Sequence, residues 1–492
     1  MLALVRHTAV LVAIAVAVAA RASGVLAQAP TRAAEGLRDT LVLPDDPDAY
    51  ALLEQMVIEG NRKTRRPIVL RETGLALGDT VRLADLDEVL ERTQRLLINT
   101  GLFSEAEVLV SDLDPGGQRL RLRVVVREKW YIYPSVGVDL ADRNFNIWWT
   151  EQNRDLSRLN FAAALRHRNI TGRADRLVLQ VQTGYTRKTE LIYRIPYIDR
   201  AKVLGLEIGA LVDRNREWQS RTVGGEQRFY GNDTTAVLRR RRFRVGISAR
   251  PGIYLSHLLA VEWQVARADS ALALEVSPDF FGDGRTRQAY RGLFYQLTFD
   301  NRDLRAFPLR GNLLRFRAHK LGLGAGDDVN RLNVSLAYAR YQPLGARLNL
   351  AVEAKAKTDV QRARVPYFNR ESLGFGDDFL RGYQFYVVDG LDFAFAKTTL
   401  RARVFEGDVR VPYAPVKVLN QVPLRVFVGV HGDVGGMRDP FDAPGNVLAN
   451  RTLVGYGVGL YANAFYGQVI SVEYTRNDLG EWGWFVGFDM GL

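Results

Sequence analysis

The chain has 492 residues, 47% of them apolar and 25% charged, with 17 prolines, a composition that can bury a large core and is not that of a disordered polypeptide. Its formal charge of +12 raises nucleic acid or an anionic surface as a partner, while the absence of cysteine excludes disulfides, thiolate chemistry and a lipid-modified N-terminal cysteine.

At the N-terminus, Arg6 and His7 precede an apolar run from Ala9 to Ala20, and Val25, Leu26 and Ala27 form a small-residue cleavage pattern before Gln28. Residues 1–27 read as a secretory signal peptide followed by a linker over 28–49, because the run is short for a membrane span of about 20 residues. Export sets nucleic acid aside and makes anionic lipid head groups the natural counter-charge, although an evenly solvated surface explains the charge more plainly. No later segment is long and apolar enough for a membrane helix. The chain is then either soluble beyond the inner membrane or crosses a bilayer as a closed β-barrel.

Residues 50–130 mix periods. MVIEGN (Met56 to Asn61) reads as a strand ending in a turn, PIVLRETGL as a short helix, and LADLDEVLERTQRLLINTGLF as an amphipathic helix closed by Gly101. Asp85 with Glu88 has capping-box spacing, and Leu86, Val89, Leu90, Thr93, Leu96 and Leu97 fall on one face. Two alternating strands follow, with Ala106, Val108 and Val110 and then Leu120, Leu122, Val124 and Val126 pointing inward. This is a compact α+β unit.

It resembles a POTRA domain, in IEGNRKT (Ile58 to Thr64), in the helix ending Gly101, Leu102, Phe103, and in the final strand with Val124, Val126 and Glu128. The resemblance implies a module that offers exposed sheet edges to client chains, which physically is β-augmentation.

Beyond Trp130 the period becomes two. LVLQVQTGY sets Leu177, Leu179 and Val181 against Val178, Gln180 and Gln182, and LVGYGVGLYANA sets Val454, Tyr456, Val458 and Leu460 against Gly455, Gly457, Gly459 and Tyr461. A soluble sandwich also alternates, but the export signal, the aromatic strand ends and a last strand that runs to Leu492 favour the membrane. In that strand Trp484, Val486, Phe488, Met490 and Leu492 share a face, and it is expected to close against the first strand. Eleven candidate strands precede an irregular segment at 358–392 and five follow it. The fold class is therefore an all-β transmembrane barrel of about 16 antiparallel strands over 131–492, preceded by the small α+β domain.

In the strand LRVFVGVHGDVG, Leu424, Val426, Val428 and Val430 face outward, which turns Arg425, Phe427, His431 and Asp433 to the lumen. If the irregular segment folds inward, Arg381 reaches Asp433 as a planar, two-point pair, Gly382 allows close backbone approach and Tyr383 packs the turn. Together with the preceding module, the loop motif Leu380, Arg381, Gly382, Tyr383, the Gly432–Asp433 strand and FDNRDLRAFPLRG (Phe299 to Gly311) resemble the BamA/TamA-like outer-membrane assembly superfamily. One departure is Thr399, where relatives often carry a second lumenal acid. The resemblance implies an outer-membrane location with the POTRA domain in the periplasm, and insertion or translocation of client outer-membrane polypeptides. Outer-membrane lipids and periplasmic accessory proteins or chaperones are the further partners, and no cofactor, metal or nucleotide is required. The first strand (Ile132 to Leu140) and the last (Trp484 and Leu492) would meet at a seam able to open sideways.

In VLRRRRFRV, Arg240, Arg242 and Arg244 face the lumen, while Arg239 and Arg241 lie outside, as a solvated margin or against lipopolysaccharide phosphates. Catalysis has little support: the five histidines are scattered and no nucleophile elbow, zinc or phosphate-loop motif occurs. The competing functions are a substrate-conducting channel with an N-terminal docking domain and a soluble periplasmic β-rich binding protein.

Overall fold

A computed structural model describes residues 49–114, 118–140, 156, 159–232, 235–375, 378–410, 421–441, 445–464 and 468–489. The signal-peptide reading and nearly all of the linker lie outside these residues, as do Met490 and Leu492.

The first unit comprises β1 (Tyr50–Glu59), α1 (Arg66–Thr73), β2 (Thr80–Arg82), α2 (Leu86–Asn99), β3 (Phe103–Leu113) and β4 (Arg119–Glu128). Its sheet runs β2-β1-β4-β3, with β1 and β4 parallel, and α2 buries Leu86, Thr93 and Leu97 against it. The capping-box expectation is corrected here. Asp85 does stand at the N-cap, but it makes no cap hydrogen bond. Arg82 takes both its carboxylate oxygens at 2.9 and 2.8 Å, and a charged guanidinium outcompetes a backbone N–H for them.

The IEGNRKT segment gains a physical meaning. Gly60 has φ +86°, and a Cβ there would lie 1.9 Å from the Val126 carbonyl oxygen. That tight turn delivers the Lys63 and Thr64 amides to the Glu128 carboxylate at 3.0 and 2.6 Å. Thr64 Oγ1 then contacts the Tyr131 hydroxyl at 2.9 Å and accepts from Asn169 Nδ2 at 2.9 Å.

The remaining strands form one 16-stranded sheet in chain order, interrupted only by the separate hairpin β10–β11. They are β5 (Ile132–Leu140), β6 (Leu159–Arg168), β7 (Arg176–Gly184), β8 (Thr186–Ile195), β9 (Leu204–Asn215), then β10 (Glu217–Val223) and β11 (Glu226–Gly231). Next come β12 (Leu238–Ala249), β13 (Leu255–Ala268), β14 (Arg287–Asp300), β15 (Gly311–Leu321), β16 (Arg331–Pro343) and β17 (Leu348–Asp359). The last are β18 (Asp392–Arg410), β19 (Gln421–Arg438), β20 (Leu453–Ala464), β21 (Gln468–Asn477) and β22 (Trp482–Asp489). No described helix is long and apolar enough to cross a membrane. Alternation instead puts Val430, Val458, Trp484 and Val486 on the outer face, each more than half exposed, and buries Phe427, His431 and Asp433 inside.

Three features depart from the sequence expectation. Among the described residues no ladder joins β5 to β22, so the expected closing pair is absent there. The hairpin β10–β11 was not expected, because its charged residues show no oily face. It packs Trp218 and Tyr230 on Phe280, Phe281 and Phe368, capping one end of the barrel. Finally, β18 and β19 outrun their neighbours. They pair from Asp392↔Arg438 to Arg410↔Gln421, while β17 stops at Ala402 and β20 at Leu424. A bulge between Arg403 and Phe405 marks where this ribbon leaves the wall.

The first unit docks on the barrel rim. Glu72 accepts from Arg250 Nη1 at 2.7 and 2.9 Å and from the Tyr197 hydroxyl, and Asn99 Nδ2 donates to the Asp303 carbonyl at 2.8 Å.

Burial raises the Glu128 pKa, but bonds from Thr64 and Lys63 outweigh it and hold the group below its usual 4.5. A depressed carboxylate stabilises above its unfolded pKa and loses that contribution as pH falls through the folded value. Glu128→Gln is therefore expected to speed hydrogen exchange of residues 61–65 about tenfold at neutral pH, from ~1–1.5 kcal/mol of hydrogen bonding. It should also remove the loosening of this turn expected in the wild type as pH falls below the ordinary carboxylate value of 4.5 and through the lower folded one. Exchange corrected for intrinsic rates, measured on the full chain in detergent, checks both.

Candidate functional site

The segment between β17 and β18, residues 360–391, enters the barrel and is held at two depths. Near its start, Arg331 forks onto Asp359 at 2.6 and 3.0 Å and also donates to the Asn369 carbonyl, and Lys357 reaches Asp359 at 3.2 Å. Lys355 holds Asp378 at 2.5 and 2.6 Å. These lysines come from the lumenal face of β17, opposite the leucine and valine face that meets lipid. The sequence reading missed this anchor, although the every-second-residue spacing of Lys355, Lys357 and Asp359 was its signal.

Deeper in the loop lies the motif. Leu380 and Tyr383 are buried in an apolar cluster with Leu373, Val388, Phe393, Phe395, Met437 and Leu453, which fixes the turn between them. Gly382 has φ +90°, and its carbonyl accepts from Asn477 Nδ2 at 2.9 Å. Gly455 on β20 permits the approach, since a Cβ there would lie 1.9 Å from the Arg381 carbonyl oxygen. The lumenal glycine run of β20 is thus the space into which the motif fits.

Arg381 is 7% exposed and Asp433 3%. The Arg381 Nη2 and Nε donate to the two carboxylate oxygens at 2.5 and 2.9 Å, and the Arg381 backbone amide adds a third bond at 2.9 Å. The structure thus brings these two residues together in a forked pair. Nη1 donates to Thr399 Oγ1 at 2.9 Å, so the departure at Thr399 keeps a hydrogen bond while losing a charge. The second acid comes from another strand: Glu473 on β21 lies 3.5 Å from Nη1 and accepts from the Tyr461 hydroxyl at 2.9 Å. Only the register of β19, β20 and β21 places Glu473 there. The sequence reading did not find it.

Other residues complete the group. Lys397 stands directly across from Asp433 in the β18–β19 ladder, with its ammonium 4.0 Å from the centre of the Phe379 ring. His431 contacts Thr475 at 3.0 Å. Past the motif, Phe385 packs on Phe485 of β22 with centroids 5.5 Å apart, and the Tyr386 hydroxyl donates to Glu481 at 2.7 Å. The loop is thereby fastened to the inner side of the last two strands. Of the seam residues, Ile132 and Trp484 point outward and are exposed, Leu140 ends β5, and Leu492 lies outside the described residues.

The upstream FDNRDLRAFPLRG segment forms the β14–β15 turn. Arg302 forks onto Asp300 at 2.8 and 3.0 Å, and Asp303 Oδ1 accepts the Leu304, Leu309 and Arg310 amides. Phe307 is thereby placed 4.9 Å from Phe427, beneath Arg401. Of the lumenal arginines, Arg240 meets Asp213 at 2.5 Å, Arg242 lies 3.9 Å from Glu190 and Arg244 3.8 Å from Glu207, while Arg239 and Arg241 are exposed outside. Among the described residues no cluster of histidine, aspartate and glutamate is suited to hold a metal ion.

Removing one member of a buried ion pair leaves the other uncompensated. Arg381→Ala is expected to cost ~3–5 kcal/mol, read as a lower midpoint for loss of the heat-resistant gel form and faster proteolysis within 360–391. The double variant with Asp433→Ala should lose less than the sum of the single losses. Gly382→Ala, forcing a side chain onto a left-handed backbone, should cost ~1–3 kcal/mol by the same assay.

Comparison with known proteins agrees with this architecture. Residues 169–398 match the Omp85 superfamily domain, and residues 52–129 match the POTRA family described as a surface antigen variable number repeat. Among solved structures, BamA from Haemophilus ducreyi lacking POTRA domains 1–3 is 13% identical with a TM-score of 0.51, over 89% of this chain and 84% of that one. CdiB from Escherichia coli aligns over 94% of this chain and 92% of that one, at 13% identity and a TM-score of 0.45. CdiB from Acinetobacter baumannii aligns over 89% and 73%, at 14% identity and a TM-score of 0.46. No curated protein sequence matches. A POTRA domain joined to a 16-stranded antiparallel barrel, with both family matches in that order, places this chain in the Omp85 superfamily as an outer-membrane protein whose POTRA domain lies in the periplasm.

Proposed function

We propose that this chain inserts or translocates polypeptides at the bacterial outer membrane without nucleotide hydrolysis. The observation that carries the reading is the position of the anchored loop. Arg381, Gly382, Phe385 and Tyr386 bind β19, β21, β22 and the β21–β22 turn, beside the one junction in the sheet order where the described residues share no ladder. A strand edge inside a bilayer holds backbone groups that water cannot satisfy, so it is driven to pair with another strand. A client β-strand supplies such a partner, and the strut keeps the last strands in shape while the edge is open.

The periplasmic module fits the same work. Its edge strand β3 presents unpaired backbone groups to an extended peptide, and the outer arginines Arg239 and Arg241 suit anionic outer-membrane lipids. A lumen crossed by an anchored loop is a poor conduit for a permanently open channel.

The cysteine-free chain permits a direct test. Paired cysteines, one in 132–137 and one in 482–487, joined by a bifunctional reagent are expected to lower the inventory of other barrels in the outer membrane. The locked protein should keep its heat-resistant gel form, and single-cysteine controls should behave as wild type. Undiminished assembly of other barrels in cells carrying the locked form rejects the proposal.

A further inference from the structure

The POTRA-facing rim of the barrel carries an imbalance of charge that neither the loop nor the seam uses. Arg168 of β6 stands directly across from Arg176 of β7, and Arg176 directly across from Arg194 of β8. All three share the lumenal face of the sheet, since facing residues in a ladder project to the same side. Like charges placed opposite one another repel, and only Arg194 is matched, by Glu207 Oε2 at 2.5 Å. Neither Arg168 nor Arg176 has a carboxylate within 4.0 Å among the described residues. Arg176 spends one donor on the Thr100 carbonyl at the end of α2, at 3.1 Å, and Arg168 lies over the Tyr133 ring.

Arg176 and Arg194 border a cavity of about 270 Å³ between the POTRA domain and the barrel mouth, and Arg168 stands next to Arg176 just outside it. Its far wall adds Arg250, Arg302 and Arg305, so that five lining arginines face only Glu72, Glu207 and Asp300. Those acids are already engaged: Glu72 by Arg250 and Tyr197, Glu207 by Arg194, and Asp300 by the Arg302 fork with Arg305 at 3.3 Å. The surplus is felt both beside the wall and within it. Burial, and next the Arg168 charge, hold Lys129 below its ordinary 10.5. Burial also lowers Arg305; the nearby Arg250 and Arg302 charges add to this against Asp300.

We propose that this chamber is a binding site for a phosphate group, held by Arg176 and Arg305 from opposite walls with Arg168 supplying further positive potential. Planar guanidinium groups match a tetrahedral oxyanion at two points each, and the small volume suits a compact anion better than an extended acidic peptide. Binding there would relieve the cross-strand repulsion between Arg168, Arg176 and Arg194. The phosphate can come from a soluble phosphate ester or from a lipid head group, and the chemistry of the site is the same for both.

Delipidated full-length protein in detergent, at matched ionic strength, is titrated with inorganic phosphate, glycerol phosphate and a short-chain phosphatidylglycerol by calorimetry. Its thermal midpoint is followed in parallel. Phosphate over chloride is expected to raise the midpoint. Arg176→Gln and Arg305→Gln should each weaken binding about tenfold or more, as loss of a charge-assisted hydrogen bond implies. Arg176→Gln should also raise the midpoint in chloride alone by relieving repulsion, and Arg119→Gln, exposed on β4 and away from the cavity, should change neither reading. Should a glutamine variant not fold, Arg176→Lys, which keeps charge but not the fork, is expected to bind more weakly than wild type. Binding of the soluble anions assigns a soluble source, and binding of the lipid alone assigns a head group. No preference for any phosphate over chloride, or full binding by Arg176→Gln and Arg305→Gln, overturns the proposal. None of these readings depends on polypeptide insertion.

Discussion

A guanidinium and a carboxylate removed from water must repay several kcal/mol of lost hydration each, and they do so only when nearly every donor and lone pair is used. Arg381 and Asp433 meet that condition through the forked bond, the Arg381 amide, Thr399 and the more distant Glu473. With Lys397 across the ladder from Asp433, the group holds two cations and two anions, so its net charge is balanced in a low-dielectric lumen. Such a group contributes little to stability compared with an apolar core of the same volume. What it does is exclude other positions of the loop, because any shift of the turn strands a buried charge.

The rest of the barrel is arranged so that this geometry can exist. Glycines on the lumenal face of β20 leave room for the turn, the Leu380 and Tyr383 cluster supplies the apolar anchorage, and Asn477 and Phe485 carry the loop to the last strands. At the opposite end, the Gly60 turn brings two amides to Glu128, and Thr64 extends that network across to Asn169 in the barrel. Both motifs set a glycine in a left-handed conformation next to backbone that meets a carboxylate: past Gly60 two amides reach Glu128, and before Gly382 the Arg381 amide and guanidinium reach Asp433.

Every described strand of the 16-stranded sheet was visible in the sequence, because lipid on one side and a polar lumen on the other impose a period of two that no helix shares. Arg381 and Asp433 were legible because Asp433 is the one acid of its strand and falls on the inward phase. Glu473 and the Arg331–Asp359 anchor were not, because an inward acid or base is ordinary in a polar lumen and only strand register decides which ones meet. The β10–β11 hairpin escaped because both its faces are charged and its oily residues, Trp218 and Tyr230, meet partners far away in sequence. Asp85 was misjudged for a local reason: the spacing to Glu88 is right, but Arg82 lies within reach first.

The overlong β18–β19 ribbon has a mechanical consequence. Among the described residues, each strand has a single neighbour from Phe405 to Arg410 and back from Gln421 to Pro423, whereas most wall strands have two. A two-stranded ribbon twists more steeply than a wide sheet and is marginally stable alone. Past the bulge at Arg403, then, about 20 Å of backbone can coil, fray and re-form on a fast clock of its own while the cylinder it grows from keeps still.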